Sequence, residues 1–371
     1  ISPAEPAFLV NVNDGGVALS RDGGKTWRAF IKEIPAVQFY NVALDMAEPF
    51  SAHGSVQDHG TIRGMGLAPA KNGAADPVRW EYAAGGEGTQ IAVDPADPNV
   101  VYSSSFYGRL MRSVRQDGEW KSKNIYPRPA PGEPEHRGQW LAATILSPHD
   151  SKTVYHGFQY VYRSRDEGAT WERISPDLTA FDPDKQGRLP YAIPYASITT
   201  LDESPLKAGV LYAGTDDGHL WVTRDGGAEW TKITAGLPEN THVWTIEASR
   251  HDPATVYCAL VGRHEDDFAP YVFASTDYGN SWTPITANMP GGPVNVIRED
   301  PKKKGVLYAG TDQGVFVSRD GVSAWQYLGK GLPVCPVWDI RIHPRDNMMV
   351  IATNGRGMWV LDDLSRIQKS T

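Results

Sequence analysis

Ser164-Arg-Asp166-Glu-Gly168-Ala-Thr-Trp171 returns along the chain as Thr223-Arg-Asp225-Gly-Gly227-Ala-Glu-Trp230 and as Ser275-Thr-Asp277-Tyr-Gly279-Asn-Ser-Trp282. Near the start it stands as Ser20-Arg-Asp22-Gly-Gly24-Lys-Thr-Trp27, and Ser318-Arg-Asp320-Gly-Val322-Ser-Ala-Trp325 keeps all but the glycine. Ser113 to Trp120 is a worn copy with Arg115 in the aspartate slot, and Trp80 fills the tryptophan slot of a unit that has lost the rest. The mechanics of S/T-x-D-x-G-x-x-W follow from its residue types. The carboxylate accepts backbone N–H groups of a tight turn. Glycine supplies a positive φ, and the indole packs between neighbouring sheets. The motif therefore reads as a structural latch. Asp22, Asp166, Asp225, Asp277 and Asp320 hold turns, and Trp27, Trp171, Trp230, Trp282 and Trp325 wedge sheets together.

Each latch closes a longer unit: an apolar strand, an Asp-Pro or His-Asp turn, a second strand, a short turn, then the motif. Val243-Trp-Thr-Ile-Glu, His251-Asp-Pro, Thr255-Val-Tyr-Cys and Tyr271-Val-Phe-Ala-Ser-Thr-Asp277 align with Leu141-Ala-Ala-Thr-Ile-Leu, His149-Asp150, Thr153-Val-Tyr and Val161-Tyr-Arg-Ser-Arg-Asp166. Four short strands in a unit of about 40–60 residues mark a propeller blade. Innermost strands fall near Tyr40, Thr89, Leu141, Ser197, Val243, Val294 and Val337. The chain is thus predicted to be all-β, a seven-bladed β-propeller of four-stranded antiparallel blades over residues 36–365. Residues 1–35 read as the remnant of a preceding blade, with Ile1-Ser2-Pro3 as the cut end of an inner strand, and 366–371 as a C-terminal tail. Eight blades is the alternative, because residues 8–30 hold an extra hairpin with its own latch.

Composition points the same way. Among 371 residues stand 37 Gly and 28 Pro, too many for long helices, and 12 Trp and 16 Tyr, which suit half-buried pleated surfaces. A net charge of −8 argues against nucleic acid or insertion at an anionic membrane, both of which select basic patches. No apolar run approaches the roughly 18 residues of a spanning helix. Cys258, one of two cysteines, lies in an apolar strand and reads as a buried inert thiol. The chain opens on Ile1 without methionine or leader, as a processed or trimmed chain does.

The latch resembles the Asp box of sialidases, sortilin-like receptors and xyloglucanases. Segments outside it carry a closer resemblance: Phe39-Tyr-Asn-Val-Ala-Leu-Asp45 with Gly54-Ser-Val-Gln57-Asp58-His-Gly60, and Ser147-Pro-His-Asp150 with Ile174-Ser-Pro-Asp-Leu-Thr179. Gly214-Thr-Asp-Asp217-Gly and Ala352-Thr-Asn354-Gly-Arg356-Gly-Met-Trp-Val-Leu-Asp-Asp363 complete the set. Together they resemble the large bacterial Asp-box (BNR) proteins described as glycosyl-hydrolase-like or sortilin-like, which carry two seven-bladed propellers in tandem. The resemblance implies that this chain is the second propeller and that residues 1–30 close the first, upstream one. It also implies export to the periplasm, the cell surface or the medium. The family pattern more often has Asn where His59 stands and His where Asn354 stands.

In a propeller the turns between second and third strands share a face with the lead-ins to the innermost strands, and the latches occupy the other face. Ligands are expected at the channel mouth, where those loops converge. Its candidate ligand-binding residues are His59, Tyr107, Arg109, Arg137, Trp140, Asn354 and Arg356, and the lead-ins add Tyr40, His136, Tyr195, His242, Trp244 and Trp338. Rings, guanidinium groups and carboxylates suit a glycan. Glycoside hydrolysis needs two carboxylates, about 5–5.5 Å apart for retention or 6.5–9.5 Å for inversion. Asp58 and Glu87, from successive blades, are the candidate catalytic pair. Asp14 and Asp217 stand in turns similar to the Thr-Asp-x-Gly-Gly turn that holds a catalytic carboxylate in xyloglucanases, although Asp-Gly is also a favoured hairpin turn on conformational grounds alone. Arg356 equally suits an ion pair with Asp362 or Asp363.

No sialidase-type Arg-Ile-Pro segment, zinc motif or phosphate loop occurs. No cofactor is expected, and His264-Glu-Asp-Asp267 is the one stretch suited to Ca²⁺, against a plain charged loop. Two functions stay open. A carbohydrate-active propeller, hydrolysing a polysaccharide or glycan, predicts an open cleft with a carboxylate pair in range. A non-catalytic protein- or ligand-binding scaffold, like sortilin ectodomains, predicts a plugged channel, carboxylates tied in turns, and an exposed aromatic patch near Trp140 or Tyr191.

Overall fold

The computed structural model describes residues 1–13, 16–29, 36–69, 78–88, 90–186, 193–321 and 324–369. Among them run eight antiparallel sheets, six of four strands and two of three, each a meander whose spatial order follows the chain. A leading sheet is formed by Leu9–Asn13, Gly16–Ser20 and Arg28–Ala29. Sheets I to VI have innermost strands Ala43–Leu44, Ile91–Val93, Thr144–Leu146, Ile198–Glu203, His242–Ala248 and Val294–Glu299. Sheet VII consists of Val337–His343, Met348–Thr353 and Met358–Leu361.

Burial explains the sequence pattern of these strands. Second strands such as Val256–Val261 and Leu307–Thr311 are buried at every position, because neighbouring sheets cover both faces. They read as unbroken apolar runs rather than as alternation. Outermost strands such as Thr283–Pro284 and Gln326–Tyr327 are two residues long and exposed. The innermost strands of sheets I to VII neighbour one another in order, and that of sheet VII returns to sheet I. At the return, Val42 N–H donates to Asp339 Oδ2 at 3.2 Å, Arg341 Nε donates to the Val42 carbonyl at 3.2 Å, and Gln38 bridges Asn354. This is β-propeller geometry, with the innermost strands facing a shared axis.

The latches are built as their residue types dictate. Ser164 Oγ donates to Asp166 Oδ1 at 2.8 Å and accepts the Gly168 N–H at 2.8 Å. Asp166 also takes the Thr170 N–H at 2.8 Å and the Thr170 hydroxyl at 2.6 Å. Gly168 has a φ of 87°, and a Cβ there would stand 2.3 Å from Ile125 Cδ1 in the seam with the preceding sheet. The indoles cross that seam. Nε1 of Trp171, Trp230, Trp282 and Trp325 donates to the carbonyls of Ile125, Ile174, Ile233 and Ile285, at 2.6, 2.7, 2.7 and 2.7 Å. Each of these isoleucines directly follows the outermost strand of the preceding sheet.

Trp27 departs from the expected wedge. It is 46% exposed, and its Nε1 turns to the carbonyl of Gly24 in its own latch at 3.1 Å. Asp22 nonetheless keeps the full latch geometry, with Ser20 at 2.8 Å and Thr26 at 2.6 Å. Residues 1–8, read from sequence as containing a cut inner strand, form none. At the other end the chain past Leu364 is a short helix, α1 (Ser365–Lys369), with Ile367 buried. Gln368 Nε2 donates to Asp300 Oδ2 and Asn347 Oδ1, both at 2.9 Å, so this segment is bound to sheets VI and VII.

Candidate functional site

The axis is an open channel of about 1050 Å³, lined from the innermost strands and their lead-ins. Its mouth is aromatic for a local reason. In sheets IV, V, VI and VII the innermost strand slips register against its neighbour, between Ile198 and Thr200, Val243 and Thr245, Val294 and Val296, and Val337 and Asp339. A bulge re-aims the side chain it carries. The bulge residues Thr199, Trp244 and Trp338 all line the channel. Trp338 packs against Tyr40 at 5.8 Å and edge-on to Trp244 at 6.1 Å, and Trp244 against His242 at 4.9 Å. Across the mouth Trp140 packs on Phe106 at 4.1 Å, over Gly88, where a Cβ would stand 2.4 Å from the indole Nε1.

Carboxylates converge between these rings. Gln57 Nε2 donates to Asp58 Oδ1 at 3.0 Å and to Glu87 Oε1 at 2.8 Å, so those two oxygens are no more than about 6 Å apart. The Tyr40 hydroxyl donates to Gln57 Oε1 and fixes the amide's orientation. Farther round the mouth, Asp216 is 6% exposed and accepts the Ser197 N–H at 2.8 Å and the Gln139 amide at 2.9 Å. Burial pushes its carboxyl up to about 7, against the pull of the Ser197 N–H and with the charge of Asp217 adding to the rise. Deeper in the channel Arg298 joins Asp339 at 2.9 Å and Glu247 at 3.4 Å. Burial, then the nearby Glu247 charge, raises Asp202 beside them.

The predicted residues divide sharply. Asp58, Glu87 and Trp140 line the channel, as do Tyr40, Tyr195, His242, Trp244 and Trp338 from the lead-ins. Asp217 does not: its carboxylate takes the Thr215 hydroxyl of its own turn and, at 2.7 Å, the Ala180 N–H from the loop after sheet III. Among the described residues, His59, Tyr107, Arg109, Arg137, Asn354 and Arg356 also lie outside the lining. Arg137 is spent as a clamp on the Ala196 carbonyl at 2.9 Å and on Asp177 at 2.8 Å. His59 Nδ1 sits 3.0 Å from the Gln57 carbonyl, and Tyr107 meets the edge of Trp140 at 6.3 Å. Asn354 N–H is held by the Pro336 carbonyl, and Asp363 is engaged by Ser365 rather than by Arg356. Asp14 and Tyr191 lie outside the described residues.

The loop proposed for Ca²⁺ is internally bonded, with Asp267 accepting the Ala269 N–H at 2.9 Å and the Tyr271 hydroxyl at 2.7 Å. Among the described residues no group of three or more His, Cys, Asp or Glu side chains is placed to hold a metal ion. No described helix is long and apolar enough to cross a membrane. Gln139 carried no sequence signal of its own. Asp216 did, as the neighbour of a predicted residue.

No family model matches the chain. Among curated proteins it is 32% identical over 125 residues to a xyloglucanase of Hypocrea jecorina, covering 30% of this chain and 15% of that one. It is 24% identical over 365 residues to a probable oligoxyloglucan-reducing end-specific xyloglucanase of Neosartorya fischeri, covering 85% of this chain and 41% of that one. Among solved structures it superposes on the GH74 xyloglucanase of Xanthomonas campestris with a TM-score of 0.64 at 18% identity, over 89% of this chain and 52% of that one. On the GH74 enzyme of Niastella koreensis the TM-score is 0.60 at 16% identity, over 88% and 52%. The likeness supports the propeller fold, and the chain spans about half of each of these structures or less of the curated relatives.

Proposed function

We propose that this chain is a seven-bladed Asp-box propeller of an extracytoplasmic, glycosyl-hydrolase-like protein, which recognises a polysaccharide at the channel mouth and hydrolyses it with Asp58 and Glu87. The observation that carries the reading is the shared Gln57 amide, which holds the two carboxylates within reach of one sugar ring. The bonded oxygens of the two residues lie no more than about 6 Å apart, close enough for a pair of carboxylates acting on one glycosidic bond. In that role one carboxylate protonates the leaving oxygen, while the other acts on the anomeric carbon, either as nucleophile or as base for the attacking water. Trp140, Trp244 and Trp338 offer faces for pyranose rings, and relatives named as xyloglucanases make xyloglucan the first substrate to test.

The same reading takes residues 1–35 as the end of an upstream propeller. In its support, Trp27 lacks the cross-seam partner of its four counterparts, and Val10 and Val12 on the first strand of the leading sheet are 48% and 73% exposed.

One observation favours the second reading, a non-catalytic recognition module. The Gln57 amide occupies the line between Asp58 and Glu87, so a sugar reaches both carboxylates only if that amide swings aside. Binding and cleavage of xyloglucan and of other plant and algal polysaccharides separate the two. The hydrolase reading expects reducing ends from wild type, with Asp58→Asn and Glu87→Gln inactive but still binding. Binding without cleavage by wild type selects the module, and wild type that neither binds nor cleaves any of them removes both.

A further inference from the structure

Beneath the aromatic mouth the channel is lined at one level by a residue from each sheet of the ring. In sheets II to VI these are Ala92, Ile145, Asp202, Glu247 and Arg298, which pair across their strands with Tyr102, Tyr155, Tyr212, Tyr257 and Tyr308. Ala43 opposite His53 and Arg341 opposite Val350 hold the same place in sheets I and VII. The level therefore has two arcs. Sheets I to III present Ala43, Ala92 and Ile145, and sheets IV to VII present two carboxylates and two guanidinium groups. Arg341 follows Trp338 by three residues on one strand, which puts it about 10 Å below the rings.

The two arginines of this level differ in what they have to bind. Arg298 is matched: it donates to Asp339 at 2.9 Å, to the Ile340 carbonyl at 3.0 Å and to Glu247 at 3.4 Å. Burial counts against its charge, but Asp339 and then Glu247 raise it above its ordinary value. Arg341 is short of partners. Its Nε donates to the Val42 carbonyl at 3.2 Å and to Asp339 Oδ2 at 3.3 Å, but neither Nη1 nor Nη2 has a hydrogen-bond partner among the described residues. Burial, against the pull of Asp339, lowers this guanidinium, which still keeps its proton. Its head is also within reach of a ligand, because the side chain is 37% exposed in the channel it lines. Arg341 ends the ionic arc, and the next sheet round the ring brings Ala43. Below that level Leu44, Met46, Val93 and Leu146 continue the apolar lining towards the latch face.

We infer that the lower channel is a second ligand site, for a small amphiphilic carboxylate, with its anionic head on the two unclaimed amino groups of Arg341 and its apolar body along sheets I to III. A planar carboxylate matches the guanidinium edge with two parallel hydrogen bonds. The nearest carboxylate of the wall does not compete for that edge. Asp339 is already held by Arg298 and the Ile340 N–H, both at 2.9 Å. Burial, then Glu247, raises Asp202 towards its neutral form. A neutral glycan has no charge to offer Arg341, and inorganic phosphate has no body to offer the apolar arc. The inference uses neither Asp58 nor Glu87 and does not depend on their reading.

Calorimetry of the full chain with sodium octanoate tests it. One octanoate per chain is expected to bind saturably. Octanamide, which lacks the charge, and acetate, which lacks the body, should each bind about tenfold more weakly or worse. Arg341→Gln should weaken octanoate about tenfold. Ala92→Asp, which sets a like charge in the apolar arc without removing a large side chain, should do the same. Melting temperature checks that each variant is folded. Octanamide or acetate binding as tightly as octanoate overturns the inference on wild type alone, and so does non-saturating binding or none. Undiminished octanoate affinity in either folded variant overturns it as well. Each of these results leaves the channel-mouth reading as it stands.

Discussion

The indole N–H of Trp282 stands 2.7 Å from the carbonyl oxygen of Ile233, a residue of the preceding sheet, whereas the same group of Trp27 reaches only its own turn at Gly24. One sequence motif therefore does two different amounts of structural work. Trp282→Ala should destabilise the chain by about 3–5 kcal/mol, the cost of emptying a packed aromatic site. Trp27→Ala, at a 46% exposed position, should cost less than about 1 kcal/mol. Urea denaturation of the two variants checks the contrast, and equal losses would show that the seam does not depend on the cross-sheet bond.

The latch aspartates give the fold an acid limit. The hydroxyl of Thr170, then its N–H, then Ser164, hold the Asp166 carboxyl down to about 2, and Asp277 is held likewise by Ser281 and Ser275. A folded-state value below the unfolded one near 3.9 means the folded chain keeps its charge where the unfolded chain has taken up a proton. This stabilisation is complete above about pH 5 and is lost progressively as pH falls through about 2. Melting temperature measured from pH 5 to pH 2 should drop along that window, and Asp166→Asn, lower throughout, should drop less steeply.

Asp216 works in the opposite sense. Its carboxyl, raised to about 7 by burial, retains a proton in the folded chain between pH 4 and 7 where the unfolded chain has lost it. Stability should therefore decline as pH rises from 4 to 7 and level off above. Asp216→Asn should flatten that decline. A ¹³C carboxyl titration of Asp216 with a midpoint near 4 would contradict the environment described for it.

Gly88 tests the aromatic wall from the backbone beneath Trp140. Its φ is 58°, and a Cβ would stand 2.4 Å from Trp140 Nε1 and 3.1 Å from Phe106 Cε1. Gly88→Ala should push Trp140 off its seat and weaken xyloglucan binding about tenfold, equivalent to about 1.4 kcal/mol, in the range of one lost ring contact. Affinity electrophoresis or calorimetry reads the change, and unchanged affinity would place the glycan elsewhere.

The latches were legible in the sequence because their chemistry is local: every bond from Asp166 or Asp277 ends within four residues. The strand pattern was legible because burial between sheets imposes it. The channel mouth was harder, since the direction of a side chain there depends on a partner strand. Trp244 and Trp338 were legible as lead-in residues at the mouth, but the register slips that turn them to the axis are announced by no spacing. Asp216 and Asp217 are adjacent and chemically alike, yet one faces the channel and the other closes its own turn. Arg137 looked free for a ligand because Ala196 and Asp177, its partners, are 59 and 40 residues away.

The seam at which Val42 meets Asp339 joins residues 297 apart in sequence. Shutting a flexible loop of that length costs about 5 kcal/mol in chain entropy, and nothing recovers that cost until the whole perimeter is in place. Sheet VII is thus the one that turns an open arc into a closed body. Cutting the chain at a surface turn and joining its two ends elsewhere would move that burden to another seam without altering the finished shape.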